Sequence, residues 1–209
     1  MNEPNTSNNQ QKIGLILLAA GESKRMKGTP KQLLKFRGKT LLTLAANTAL
    51  DSKCKPIVAV LGANSNALLD EIKDLPLLTI IENKNWRLGM GSSIKTGLAK
   101  LLQIEPDLIG IIVMLCDQPL LRSETLDLLI ETHEKTHKPI VACKYQETIG
   151  VPVLFGRDFF QRLQQLTTDS GAKELIMINK NSTETINLEE SFDVDTPQDY
   201  ARLLRLEES

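Results

Sequence analysis

The chain has few aromatic residues and a nearly neutral net charge, and both features exclude classes of partner. Phenylalanine, tryptophan and tyrosine make up 4% of the 209 residues, too few for the stacking platforms that bind single-stranded nucleic acid. Lysine and arginine number 25 against 26 aspartates and glutamates, so no basic surface is expected to attract nucleic acid or an anionic membrane. No apolar run reaches the roughly 18 residues of a membrane-spanning helix. We therefore expect neither nucleic acid nor a membrane as a partner.

Cysteine and histidine are also scarce. Cys54, Cys116 and Cys143 are odd in number and far apart, so we expect no disulfide framework or zinc site, only buried thiols in a cytoplasmic protein. The two histidines, His133 and His137, fit the H-E-x-x-H spacing of zinc hydrolases. They lie at the polar end of a predicted helix, where histidine is favourable near the C-terminus. Zinc hydrolysis is therefore the less favoured interpretation.

Apolar runs alternate with amphipathic segments, and this pattern predicts alternating strands and helices. The predicted strands span 13–19, 56–61, 77–82, 108–115, 140–144, 151–155 and 184–188. The predicted helices span about 40–50, 65–73, 92–102, 157–166 and 172–179, with one more capped by Ser123 and another opening at Thr196-Pro197. Repeated βα units imply a Rossmann-like α/β domain of three layers with a mostly parallel sheet. We place this single domain at 12–209, after a disordered tail at 1–11.

The first predicted strand ends in a small, polar, cationic loop. The apolar run 13–20 stops at Gly21, and Arg25 and Lys31 follow. Ala20 and Gly21 allow a ligand to approach the backbone, and free N–H groups in such a turn attract anions. Neither the G-x-x-x-x-G-K-[ST] nor the G-x-G-x-x-G pattern is present. The loop is predicted to hold phosphate, with an ordinary turn carrying solvated basic residues as the alternative.

Two carboxylates are candidates for a magnesium site. Asp117 directly follows the most hydrophobic predicted strand, and Asp195 lies in an alternating Asp193-Val194-Asp195 segment. Magnesium takes one or two carboxylates and completes its shell with water and substrate phosphates. The alternatives are an Asx turn at Asp117 and a helix N-cap at Asp195.

The segment from Gly89 to Ser93 precedes a predicted helix. The N–H groups of a first helical turn attract anions or polar base edges. Ser92 and Ser93 would otherwise only cap the helix, and Trp86, the single tryptophan, would either stack on a ligand or pack in the protein.

Four segments, in this order, resemble one family. They are L-A-A-G-E-S-K-R-M at 18–26 with P-K-Q-L-L at 30–34, N-K-N-W-R-L-G-M-G-S-S at 83–93, M-L-C-D-Q-P at 114–119 and D-V-D-T-P at 193–197. Together they resemble the MobA-like NTP transferases over nearly the whole chain. The resemblance implies a domain of the nucleotide-diphospho-sugar transferase (GT-A-like) type. It also implies Mg²⁺-dependent nucleotidyl transfer with release of pyrophosphate.

The resemblance also suggests the substrates. Ala20 gives L-A-A-G, as in the cytidylyltransferase branch, where the guanylyltransferase branch tends to carry L-A-G-G. CTP is therefore the expected nucleotide, although a methyl group in a pocket discriminates by only about 1–3 kcal/mol. The implied acceptor is molybdopterin cofactor, and a molybdenum hydroxylase is a further possible partner.

The residues and the resemblance together assign roles to named positions. The expected catalytic residues are Arg25, Lys31 and Asp117, and the expected metal ligands are Asp117 and Asp195. The expected nucleotide-binding residues are Leu18, Ala19, Ala20, Gly21, Ser23, Arg25, Lys31, Asn83, Ser92 and Ser93. The expected acceptor-binding residues are Gly150, Pro152, Asp169, Gly171 and Lys173.

The acceptor side departs from the family pattern. Val151 stands where the cytidylyl members often have histidine, and Thr168 and Lys173 replace the glycine and arginine of a G-D-x-G-A-R pattern. Lysine cannot reproduce the bidentate fork of arginine. A sugar phosphate or methylerythritol phosphate therefore stays open as the acceptor. A nucleotide-binding chaperone that hands cofactor to a molybdenum enzyme stays open as the function.

Overall fold

A computed structural model describes residues 12–26, 28–145, 148–166, 171–188 and 192–206. The strands are β1 (Ile13–Ala19), β2 (Lys35–Phe36), β3 (Lys39–Thr40), β4 (Ile57–Leu61), β5 (Leu78–Glu82), β6 (Gly110–Leu115), β7 (Ile140–Tyr145), β8 (Thr148–Gly156) and β9 (Thr183–Asn187). The helices are α1 (Leu41–Leu50), α2 (Ser65–Ile72), α3 (Met90–Ile104), α4 (Ser123–Thr136), α5 (Phe160–Gln164), α6 (Ala172–Ile178) and α7 (Pro197–Arg205). The predicted tail at 1–11 lies outside the described residues. No helix among the described residues is long and apolar enough to cross a membrane.

A mostly parallel sheet forms the centre of the fold, as the βα alternation predicts. Within the described residues it has seven strands in the order β5-β4-β1-β6-β8-β7-β9. Only β8 runs antiparallel to its neighbours, β6 and β7. Because two residues separate β7 from β8 in the sequence, the connection is too short for a parallel crossover. β2 and β3 pair as a separate small hairpin.

Hydrophobic residues cover both faces of the sheet, which makes the domain a three-layer α/β fold. Successive residues of β1 alternate between the two core clusters: Leu15 and Leu17 face one, and Ile16 and Leu18 face the other. The first cluster includes side chains of α1, α2 and α4, and the second includes side chains of α3, α5 and α6. A third, smaller cluster joins Phe36, Leu41, Val194 and Leu203.

The helix boundaries confirm two predicted caps and correct two others. Thr40 caps α1 by accepting a hydrogen bond from Thr43 N (3.2 Å), and Thr196 caps α7. The predicted helix start at Ser92 or Ser93 is wrong, because α3 begins at Met90 after Gly89, whose φ of 90° suits glycine. Ser123 is the first residue of α4 rather than its cap, since Arg122 still has extended backbone.

Candidate active site

The adjacent strands β1 and β6 end at the same edge of the sheet. Leu18 pairs with Leu115, so the chain leaves β1 at Ala20 and leaves β6 at Cys116 side by side. A cavity of about 550 Å³, here called the first cavity, opens at this edge. Its walls come from the loop after β1, the segment at Lys31, the start of α3 and the end of β6. They are Leu18, Ala19, Ala20, Gly21, Glu22, Ser23, Lys24, Lys31, Gln32, Trp86, Arg87, Gly89, Met90, Ser93, Leu115, Cys116 and Asp117.

Most of the residues predicted to bind nucleotide or catalyse its transfer border the first cavity. Those lining it are Leu18, Ala19, Ala20, Gly21, Ser23, Lys31, Ser93 and Asp117. Arg25, Asn83, Ser92 and Asp195 are not part of its wall. Each of these four contacts residues that either line the wall or hold it, as described below.

Gln32 holds the loop after β1 in place, although the sequence analysis assigns it no function. Its side chain is buried, with 1% exposure. The Nε2 group donates to Ala19 O (3.3 Å) and Gly21 O (2.7 Å), while Oε1 accepts from Ser23 Oγ (3.0 Å). Lys31 N in turn donates to Ser23 Oγ (3.1 Å), and Ser23 has a positive φ of 58°. The loop shape is therefore fixed by an adjacent segment rather than by the glycines of a phosphate-loop motif. The P-K-Q-L-L segment was the available signal.

Lys31 joins the two predicted metal ligands. Its Nζ forms a salt bridge with Asp117 Oδ2 and another with Asp195 Oδ1 (2.8 Å), while Arg25 Nη2 lies 3.0 Å from Asp195 Oδ2. Burial by itself would lower the pKa of the Lys31 ammonium. The charge of Asp117 and hydrogen bonds to both carboxylates outweigh this effect, so the pKa is raised above its ordinary value. Lys31 is thus a permanent cation between two carboxylates.

The donor set at this point fits a divalent cation. Asp117 is 6% exposed, and its Oδ1 is buried without a hydrogen-bond partner among the described residues. An orphaned buried carboxylate oxygen is costly unless a ligand satisfies it. Both carboxylates reach the same Lys31 Nζ, so they converge on one point. Val194 N also donates to Asp117 O (2.9 Å), which ties the two segments together. Asp195 is not the cap of α7, because Thr196 has that position.

Asn83 organises the first turn of α3 instead of lining the wall. Its Nδ2 donates to Ser92 Oγ (2.8 Å) and Ser93 Oγ (3.0 Å), and its Oδ1 accepts from Asn85 N (3.0 Å). Ser92 Oγ lies 2.8 Å from Gly89 O, as donor to it. Only Ser93 of the two serines borders the cavity, so Asn83 and Ser92 support the wall from behind.

Trp86 is half-buried and forms part of the cavity wall, with the guanidinium of Arg87 stacked 4.3 Å from the ring centroid. Gly62, which directly follows β4, packs against it. A Cβ on Gly62 would lie 2.7 Å from Trp86 Cβ and 2.8 Å from both Ala20 Cβ and Ala20 O. The missing side chain therefore lets β4 approach the loop after β1. The sequence-based site omitted Gly62, although a glycine at the end of a buried strand was a signal.

A second cavity of about 520 Å³ adjoins the first, and the two share Met90 and Leu115. Its wall comprises Met90, Leu115, Gln118, Tyr145, Thr148, Ile149, Gly150, Val151, Gly171, Ala172, Lys173 and Asp193. Of the predicted acceptor-binding residues, Gly150, Gly171 and Lys173 line this cavity. Pro152 does not, because it is buried within β8. Asp169 lies outside the described residues.

Gln118, Tyr145 and Asp193 form a polar network in the second cavity that sequence reasoning missed. Gln118 is 7% exposed, and its Nε2 donates to Asp193 Oδ1 (3.0 Å), Tyr145 Oη (3.2 Å) and Val151 O (3.2 Å). Its Oε1 is buried without a partner among the described residues. Burial raises the pKa of Tyr145, whereas Asp193 is solvent-exposed. The three residues come from distant segments, so no local motif joins them.

Neither Cys116 nor the H-E-x-x-H motif supplies a second chemistry. Burial, with a smaller contribution from Asp117, raises the pKa of the Cys116 thiol to about 12, so the thiol is not a nucleophile at neutral pH. His133 Nδ1 lies 2.8 Å from Lys138 O, and His137 ends α4 with a positive φ of 55°. No group of three or more His, Cys, Asp or Glu side chains able to hold a metal occurs in the described residues. These observations favour a helix end over a zinc site.

Comparisons with known proteins agree with this arrangement. The family model of the MobA-like NTP transferase domain matches residues 15–184. The nicotine blue oxidoreductase of Paenarthrobacter nicotinovorans is 41% identical over 118 residues, covering 56% of this chain and 55% of that protein. The bifunctional protein GlmU of Syntrophotalea carbinolica is 32% identical over 69% of this chain but only 30% of its own length. The chain therefore spans about half or less of these curated relatives.

Solved structures extend the likeness to almost the whole chain. Rv0371c from Mycobacterium tuberculosis H37Rv superimposes with a TM-score of 0.81 at 29% identity, covering 93% of this chain and 98% of that one. A second structure of that protein, at 28% identity and a TM-score of 0.76, is a complex with manganese. Because the family model covers most of the residues and the fold agrees with it, the chain belongs to the MobA-like NTP transferase family of nucleotidyltransferases.

Proposed function

We propose that the protein transfers CMP from CTP to the phosphate of molybdopterin cofactor, in a Mg²⁺-dependent reaction that releases pyrophosphate. The observation that carries this proposal is the convergence of Lys31, Asp117 and Asp195 beside a loop of phosphate-binding character, at an edge where two cavities adjoin. Phosphoryl and nucleotidyl transfers depend on positioning and charge stabilisation, so the absence of an activated Ser, Cys or His nucleophile from this cluster is consistent with the reaction. We place the reaction in the cytoplasm, where free thiols such as the three buried cysteines stay reduced.

The first cavity is the proposed nucleotide site. Its volume of about 550 Å³ lies within the range of roughly 300–1,000 Å³ that small-molecule sites occupy. The loop held by Gln32 would present its backbone to the triphosphate, and Lys31 and Arg25 would neutralise the phosphate charge. Ser93 and Trp86 border the same space, where the base and ribose would lie.

Asp117 and Asp195 are the residues that would hold the divalent metal. When bound, Mg²⁺ would neutralise phosphate charge and orient the α-phosphate for in-line displacement. The manganese complex of the Rv0371c structure supports a divalent cation in this fold. In the present arrangement Lys31 occupies the point on which both carboxylates converge, so the ammonium would move toward the phosphates as substrate arrives.

The preference for CTP rests on the phosphate loop. Ala20 places a methyl group beside Gly62, at the part of the wall nearest the base in this proposal. One methyl group discriminates between bases by about 1–3 kcal/mol. A preference rather than absolute specificity is therefore expected.

The second cavity is the proposed acceptor site. Because the cavities share Met90 and Leu115, an acceptor phosphate in one could approach the nucleotide in the other. Lys173 is the one cationic side chain among the described residues of its wall. Molybdopterin cofactor is the proposed acceptor, and a sugar phosphate or methylerythritol phosphate is the second candidate, because the departures at Val151 and Lys173 weaken the resemblance there.

The proposal is tested first by thermal unfolding with CTP, GTP, ATP and UTP, each with and without Mg²⁺. A ligand at 100 times its dissociation constant stabilises the folded state by about 2.7 kcal/mol, which is measurable. We expect the largest Mg²⁺-dependent shift with CTP, and its loss in Asp117→Asn. The matched control is Asp107→Asn, which changes an exposed carboxylate near the other end of β6.

Pyrophosphate release with molybdopterin and with sugar phosphates then decides the reaction. Release that requires both CTP and an acceptor supports nucleotidyl transfer. Binding of CTP without pyrophosphate release with any acceptor would instead indicate a nucleotide-binding chaperone. The absence of a shift with every nucleotide would contradict the triphosphate site itself.

A further inference from the structure

Two carboxylates of one short segment have different surroundings. Val194 is fully buried in the third hydrophobic cluster, and Asp193 and Asp195 flank it. Asp195 pairs with Lys31 at the metal-binding cluster, whereas Asp193 lines the second cavity. Anchoring of Val194, together with the hydrogen bond from its N–H to Asp117 O (2.9 Å), fixes both carboxylates at once. The segment therefore contributes one carboxylate to the Lys31 cluster and one to the wall of the second cavity.

The consecutive residues Asp117 and Gln118 each lie near one of these two carboxylates. Asp117 shares Lys31 with Asp195, and Gln118 donates directly to Asp193 Oδ1 (3.0 Å). Gln118 also donates to Tyr145 Oη, so the hydroxyl proton of Tyr145 is directed away from Gln118. The amide thus holds a carboxylate and a phenol at fixed positions in one wall.

Burying the Gln118 side chain costs folding free energy that its packing alone does not offset. The buried Oε1 atom has no partner among the described residues, and such an unsatisfied group costs about 1–3 kcal/mol. An apolar side chain of the same length would remove this oxygen, but it would leave Asp193, Tyr145 and Val151 O without their donor. Retaining an amide here is reasonable if its donor groups are needed to orient Asp193 and Tyr145.

We propose that Asp193, oriented by Gln118, selects the acceptor by receiving a hydrogen bond from an N–H or O–H group on it. This inference rests on the proposed function, since it concerns the acceptor side of the same reaction. A cavity with one carboxylate acceptor and one lysine is complementary to a molecule that carries both a phosphate and a separate hydrogen-bond donor. A carboxylate held in position to receive such a donor favours molecules that carry one over analogues that lack it.

The test measures binding of acceptor probes without nucleotide, by isothermal titration calorimetry. The probes are molybdopterin cofactor, which offers heterocyclic N–H groups, a hexose 1-phosphate, which offers O–H groups, and ethyl phosphate, which offers neither. We expect the wild-type protein to bind one of the first two at least about tenfold more tightly than ethyl phosphate, a difference of about 1.4 kcal/mol. Which of the two binds identifies the source of the donor.

The variant Asp193→Ala should lose this preference without losing affinity for ethyl phosphate, since removing a negative charge does not weaken binding of an anion. Gln118→Met should lose part of the preference, because Asp193 is no longer held. Its melting temperature, measured alongside, shows whether the fold tolerates the loss of the three hydrogen bonds that the amide donates. Asp107→Asn is the control and should match the wild type. The Mg²⁺-dependent stabilisation by CTP should be unchanged in all three variants.

The inference is overturned if the wild type binds ethyl phosphate as tightly as the other probes. It is equally overturned if Asp193→Ala keeps the preference or weakens all three probes alike. Failure of the proposed function has a different signature, since the wild type would then show no stabilisation by CTP or no pyrophosphate release while the difference between the probes persists.

Discussion

The two cavities differ in how their polar side chains are held. In the first, Lys31 is paired with Asp117 and Asp195, so full charges fix one another in a nearly buried cluster. In the second, the neutral amide of Gln118 holds Asp193 by a hydrogen bond. Charge clusters are suited to stabilising a charged transition state, whereas a neutral network recognises shape and donor pattern. Substitutions in the first cavity should therefore affect the rate of the reaction, and those in the second should affect which acceptor binds.

The two cavities also differ at their close-packed glycines. A Cβ on Gly62, beside the first cavity, would lie 2.8 Å from the backbone atom Ala20 O. A Cβ on Gly171, beside the second, would lie 2.8 Å from Met90 Sδ, an atom of a flexible side chain. The first cavity therefore has a rigid wall at this point, and the second has a wall that can adjust.

The largest expected effect follows from removing the central cation of the first cavity. Lys31→Met should lower turnover by about 10²–10³-fold, the loss seen when a preorganised charge-stabilising group is removed. Pyrophosphate release at saturating CTP and acceptor is the measurement. Lys35→Met, an exposed lysine on β2, should retain wild-type turnover. Near-normal turnover of Lys31→Met would remove the distinction between a catalytic and a recognising cavity.

Gly62→Ala should destabilise the protein more than the matched substitution Gly171→Ala. The new methyl group collides with backbone, so we expect a loss of about 1–3 kcal/mol in the free energy of unfolding. Displacement of the loop at Ala20 should also weaken CTP binding. Urea unfolding and calorimetric titration with CTP and Mg²⁺ measure the two effects. If Gly62→Ala is as stable as the wild type, the wall of the first cavity is not rigid at this point.

The same Lys31→Met variant should bind a divalent cation more tightly in the absence of nucleotide. In the wild type the Lys31 ammonium occupies the point on which Asp117 and Asp195 converge. In the variant the two carboxylates lack this shared counter-ion. We expect affinity for Mn²⁺ to rise by about tenfold, equivalent to about 1.4 kcal/mol. Electron paramagnetic resonance of free Mn²⁺ measures this change.

The double variant Lys31→Met/Asp117→Asn should lose the increase in Mn²⁺ affinity, which would show that the ion binds at this site. Equal affinity in wild type and Lys31→Met would mean that the lysine does not compete with the metal. That result would leave the catalytic prediction for Lys31 intact.

Gly171→Ala should have the smallest effect. Because Met90 can change rotamer, we expect less than about 1 kcal/mol of destabilisation. Met90 borders both cavities, so the KM for the acceptor should change by about threefold while the KM for CTP changes less. Unfolding and steady-state kinetics measured alongside Gly62→Ala provide the direct contrast. A larger loss of stability in Gly171→Ala than in Gly62→Ala would reverse the comparison.

The difference between the two cavities also explains which residues could be predicted from sequence. The phosphate loop, Lys31 and Asp117 follow from contiguous patterns, because the carboxyl end of a buried parallel strand is where such residues act. The sheet was predictable as mostly parallel from its βα order, except at β8, whose direction depends on the short connection from β7.

The network of Gln118, Tyr145 and Asp193 could not be predicted in this way. Its members come from the end of β6, the end of β7 and the segment before α7, and only tertiary packing brings them together. Gln32 was hidden for a different reason. A glutamine in a polar segment is normally solvent-exposed, so the P-K-Q-L-L segment marks the position without predicting that its side chain satisfies two backbone carbonyls.

The pairing of Lys31 with Asp195 has a consequence for biosynthesis. The two residues are 164 positions apart in the chain, and Val194 must enter the small cluster with Phe36, Leu41 and Leu203 before Asp195 can reach the lysine. A ribosome-bound chain would already carry the complete phosphate loop while its second carboxylate was still in the exit tunnel. The cluster of Lys31, Asp117 and Asp195 would therefore stay incomplete until Asp195 had left the tunnel, so it would form only at a late stage of synthesis.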